Sequence, residues 1–146
     1  MPKETESNKL NERQERPLNS KDLALSAARA ALKKKADDLI ILDLEGLTII
    51  ADYFIICSGE STTQVKAVAE FVEHELAGKG IRPLGIEGLD YSHWVLLDYG
   101  DIIVHVFERD TRDYYNLEKL WMDAKVVEFH EDTADLGGKD KRAVHR

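Results

Sequence analysis

Two apolar, β-branched runs separated by two residues constrain this chain more than any other feature. Residues 93–99 and 102–107 flank Gly100-Asp101, and glycine at the first of two loop positions marks a type II′ hairpin. That loop fixes the register: Tyr99 faces Ile102, Leu97 faces Val104, and Val95 faces Val106. Every member of this set is apolar. This side of the hairpin is therefore predicted to face the core, because a slip of one residue would turn all of it to solvent. The other side pairs Asp98 with Ile103, Leu96 with His105, and Trp94 with Phe107. Aromatics beside aliphatics, a histidine and a carboxylate have the make-up of an interface anchor with polar orienting groups. The competing reading is a second helical layer over this side, with Asp98 at its edge.

Around the hairpin the pattern is α/β. Ser20 is read as the N-cap of a first helix, with Asp22 in its first turn and its end near Lys35. Residues 39–44 and 52–58 read as strands joined by a loop containing Gly46. Ser61-Thr62-Thr63-Gln64 is a capping-box signature, and Val65, Val68, Ala69, Val72 and Leu76 follow at helical spacing before Gly78 and Gly80. Residues 83–86 read as a short extended piece and 116–123 as a last helix. The order α-β-β-α-β-β-β-α predicts an α/β fold: a mixed sheet of about five strands with flanking helices, nucleotidyltransferase-like in topology. Residues 1–19 are polar and without period, a disordered leader, and 130–146, with Gly137-Gly138, read as a flexible tail. All 7 Trp and Tyr residues lie between them, which sets the folded unit at 20–129.

Charge narrows the function classes. Residues 36–127 carry 7 Lys/Arg against 18 Asp/Glu, a net of −11, whereas residues 1–35 carry 9 against 5. A central unit at −11 is repelled by a phosphate backbone and drawn to a basic partner, so no direct DNA contact is expected. No apolar run approaches the roughly 18 residues of a membrane span, and the N-terminus has no secretory apolar stretch. The single cysteine, Cys57, fits a reducing compartment, and the expectation is a cytoplasmic protein.

Other possible chemistry is thinner. Ser58-Gly59-Glu60-Ser61-Thr62-Thr63 is a strand, a turn and a helix start, where free N–H groups can cradle a phosphate. Nucleotidyltransferases place a Gly-Ser at such a position, which makes a small enzyme of that kind the alternative function. They also need two or three carboxylates around magnesium; no Asp-x-Asp follows here, and Glu60 puts a negative charge in the anion site. His74, His93, His105, His130 and His145 lack metal-ligand spacing, so neither metal nor cofactor is expected. Cys57 reads as strand packing, Asp43 and Glu45 as surface charge, and Tyr114, Tyr115 and Trp121 as core or dimer contacts.

Trp94-Val95-Leu96-Leu97-Asp98-Tyr99-Gly100-Asp101, running into Ile102-Ile103-Val104-His105-Val106-Phe107, resembles the central signature of the ribosomal silencing factor (RsfS, or Iojap-like) family. Residues 51–59 (ADYFIICSG), 83–88 (PLGIEG) and 114–121 (YYNLEKLW) are similar to further motifs of that family, in its order, across about residues 22–125. The resemblance implies a non-enzymatic homodimer. It implies binding to the uL-fourteen protein of the large ribosomal subunit on the intersubunit face, which blocks joining of the small subunit and lowers translation when nutrients are scarce. The family motif supports Trp94 as the centre of the contact surface. The hairpin register adds Leu96 and Asp98, with Ile103, His105 and Phe107 beside them.

Overall fold

The computed structural model describes residues 19–129. The stretches read as leader and tail lie outside them, except for Asn19. Asn19, not Ser20, caps the first helix: its side chain accepts the Asp22 N–H at 2.8 Å, and α1 spans Ser20–Lys33. An acceptor oxygen three residues upstream of a free N–H can be the amide carbonyl of Asn as well as the hydroxyl of Ser.

The sheet is mixed and has six strands rather than about five. They are β1 (Asp37–Asp43), β2 (Tyr53–Gly59), β3 (Gly85–Glu87), β4 (Trp94–Asp98), β5 (Ile102–Glu108) and β6 (Lys125–Val126). The spatial order is β3-β4-β5-β2-β1-β6. β2 and β5 run parallel at the centre, and every other pair is antiparallel. The hairpin register is the expected one, with Val95 opposite Val106 and Leu97 opposite Val104. Gly100 takes φ +87°, a left-handed conformation that glycine adopts without a Cβ clash.

One face of the sheet packs on α1 and on α2 (Thr62–Ala77). Val95, Leu97, Ile102, Val104 and Val106 join Ile41, Ile55 and Cys57 there, all nearly inaccessible to water. α1 approaches closely because Ala24, Ala27, Ala28 and Ala31 form its buried stripe. Burial pushes the Cys57 thiol up to about 12, so it is an inert packing group.

On the opposite face, Leu42, Leu44, Phe54, Ile56, Ile103 and Phe107 make a second, smaller core. It is covered by the segment after β5: α3 (Arg109–Tyr115), α4 (Leu117–Leu120) and the turn to β6, through Leu117, Trp121 and Ala124. The single last helix expected over 116–123 is thus the shorter α4. α3 was not foreseen, because its sequence RDTRDYY carries no apolar stripe. Arginine holds it in place instead. Arg112, nearly buried, donates to the Asp38 carbonyl (2.8 Å), to Ser58 Oγ (2.7 Å) and to Glu118 through Nε (2.8 Å). Arg109 reaches Asp37, Asp38 and Glu60 at 2.9–3.2 Å.

Candidate partner-binding surface

Trp94 leaves β4 on the second face, and its neighbours fix where the indole lies. It stacks on Phe107, the residue opposite it on β5, with centroids 4.7 Å apart and planes 27° apart. The Tyr115 ring of α3 is also in contact, its centroid 5.1 Å from that of the indole. The indole Nε1 donates to His105 Nδ1 at 3.1 Å. The backbone before it is tightly held: Ser92 Oγ donates to the Leu89 carbonyl and Ser92 N–H to that of Gly88. Gly88, at φ +85°, lies so close to the Trp94 carbonyl that a Cβ could not be accommodated. The partly buried indole forms one wall of an open groove of about 640 Å³, which Tyr91, His93, Asp110, Thr111 and Tyr114 also line.

The six residues expected to form one surface separate into two groups. Trp94, Leu96 and Asp98 on β4 are partly buried, with some of each residue accessible to water. Ile103, His105 and Phe107 on β5 are 8%, 3% and 0% exposed, and present little or no area to solvent. The reason is what lies over them: Trp94 stacks on Phe107, and Leu117, Trp121 and Ala124 pack on the core that Ile103 and Phe107 share with Phe54. The covering-layer reading thus describes β5 and the open-surface reading describes β4. Asp98 has a structural task besides: its Oδ1 accepts the Gly100 N–H at 2.8 Å and closes the hairpin turn.

His105 is enclosed by aromatics, with Phe54 edge-on at 4.5 Å and Phe107 nearly parallel at 6.2 Å. Burial holds its imidazole down at about 4, so the ring is neutral at physiological pH. Tyr114 and Tyr115, read as core or dimer contacts, are 81% and 54% exposed and border the groove, while Trp121 is half-buried against Phe54. Tyr91 and Tyr114 were not picked out as site residues. The pattern Arg109-x-x-Arg112 before the two tyrosines was the available clue, since i,i+3 spacing on a helix puts both arginines on one face.

The Ser58–Thr63 turn, the candidate phosphate cradle, is taken up internally. Gln64 Oε1 accepts the Glu60 N–H, Ser61 caps Gln64, Arg112 holds Ser58, and Arg109 holds Glu60. Among the described residues no group of three or more His, Cys, Asp or Glu is placed to hold a metal ion. No helix among them is long and apolar enough to cross a membrane.

Fold and surface together define a small mixed-sheet α/β domain that displays an anchored tryptophan in a groove rimmed by tyrosine and carboxylate, the composition of a protein-binding module. Comparison with known proteins gives the family. The family model described as "Ribosomal silencing factor during starvation" matches residues 17–146, beyond the span of the recognised motifs at both ends, and the chain belongs to that family. It is 46% identical over 111 residues to a ribosomal silencing factor of Bacillus subtilis, covering 76% of this chain and 94% of that one. The chloroplastic Iojap protein of Zea mays is 32% identical, over 75% of this chain and 48% of its own length. A crystal structure from Chromobacterium violaceum superposes with a TM-score of 0.71 at 36% identity, covering 77% of this chain and 92% of that one. One from Bacillus halodurans gives 0.68 at 40% identity, covering 75% and 99%.

Proposed function

We propose that this chain represses translation by binding the uL-fourteen protein of the large ribosomal subunit, which blocks joining of the small subunit under nutrient limitation. The observation that carries the reading is the partly buried Trp94 indole in a groove that Asp110 borders, at the start of the motif most typical of the family. A fixed aromatic beside a pocket is the usual form of a binding hot spot. The net charge of −11 over residues 36–127 suits a basic ribosomal protein and not bare RNA. A relative in Mus musculus, 30% identical over 68% of this chain and 44% of its own length, is named for assembly of the mitochondrial large ribosomal subunit. Obstruction of this kind needs no bond-making residue, and the protein acts as a cytoplasmic homodimer without cofactor.

Co-sedimentation with isolated subunits tests this. The protein pellets with large and not with small subunits, lowers the yield of reassociated ribosomes in a gradient, and binds more weakly as salt rises. Equal binding to both subunits would refute the reading.

A further inference from the structure

We infer that His105 is a positioning residue for the partner surface: its buried Nδ1 accepts the Trp94 indole N–H and so sets which edge of the indole faces the partner. This rests on Trp94 being a contact residue. Stacking on Phe107 and the neighbouring Tyr115 restrain the plane of the indole. Neither distinguishes the ring from its flipped form, since an aromatic face attracts both alike. The hydrogen bond does distinguish them, because only one flip state carries Nε1 to His105.

His105 keeps this acceptor at a cost that a purely structural residue would not carry. With Nδ1 accepting, the ring proton lies on Nε2, and Nε2 is buried with no hydrogen-bond partner among the described residues. A phenylalanine would fill the same space among Phe54 and Phe107 without an orphaned N–H. The polar ring therefore earns its place through Nδ1, and the group on Nδ1 is Trp94.

The test compares His105→Phe, which keeps the ring and removes the acceptor, with His105→Asn, whose side-chain oxygen sits near the place of Nδ1. The chain has two tryptophans, so the indole N–H signal of Trp94 is assigned by its loss in Trp94→Ala. In His105→Phe the melting temperature holds or rises, the Trp94 N–H shift moves, and its exchange with water quickens by about tenfold. Affinity for large subunits falls by about threefold to tenfold, the worth of one hydrogen bond. His105→Asn melts lower and yet returns the shift and the affinity toward wild type. If His105→Phe does not fold, His105→Leu makes the same comparison. Unchanged shift, exchange and affinity in the folded acceptor-less variant would overturn the inference. Normal binding by Trp94→Ala would instead remove Trp94 from the contact surface, and the spectra, recorded without ribosomes, would still decide whether His105 orients it.

Discussion

Leu97 and Trp94 lie three positions apart on one strand and point to opposite sides of the sheet, so substitutions at the two should separate stability from binding. Leu97 is 1% exposed in the larger core. Leu97→Asp places a carboxylate there at a cost of several kcal/mol, about the whole stability of a domain this size, and circular dichroism should report an unfolded chain. Trp94→Ala spares that core but uncovers Phe107, at a cost of about 1–2 kcal/mol. It should melt lower, remain folded, and bind large subunits about 30- to 1000-fold more weakly, as loss of a central tryptophan does. Asp98 is best tested as Asp98→Asn, which keeps the acceptor for Gly100 and removes only the charge; Asp98→Lys, the obvious charge reversal from the sequence, would also open the turn. His105 gives a pH signature. Its folded value is about 4 against an ordinary 6.5, so between these limits the unfolded chain binds a proton that the folded chain refuses. Its contribution to stability is full above pH 6.5 and declines by about 3 kcal/mol as pH falls toward 4. Chemical denaturation of wild type against His105→Phe at pH 7 and pH 4.5 should show the gap widening in favour of the variant at the lower pH.

At the level of elements, legibility followed the kind of force involved. The hairpin register, the α2 cap at Ser61 and the alternation of β4 were readable because period and turn chemistry state them locally. α3 was not, because no apolar stripe orders it: Arg109 binds carboxylates 49 to 72 residues away, and Arg112 reaches the Asp38 carbonyl and the Ser58 hydroxyl, pairings that no local pattern announces. β6 is two residues long and exists only through Leu42 and Asp43 of β1. The candidate surface was half legible for the same reason. Strand alternation placed all six of its residues on one side, but coverage of β5 depends on segments beyond the hairpin. Arg112→Ala should therefore detach α3 from the sheet end, leaving Ser58 and Glu118 without a partner. Stability should fall by about 2–4 kcal/mol, and proteolysis or hydrogen exchange should show early opening of residues 109–121 before the sheet.

For the whole molecule, the loop between β1 and β2 leaves Ile49 fully exposed and Leu47 and Ile50 about half exposed, apolar area that self-association would cover. Light scattering at micromolar concentration in ordinary salt should give twice the monomer mass of 16.6 kDa, and a monomeric reading would count against the dimer. The parallel pairing at the centre of the sheet also bears on time. Ile55 must find Val104, and the second core closes only when Trp121 reaches Phe54. Contacts so distant along the chain form slowly and late. During synthesis, the Trp94 surface therefore acquires its shape only after nearly the whole domain has emerged. A nascent copy that ends before residue 114 lacks the tyrosine wall of the groove and the Trp121 cover over Phe54.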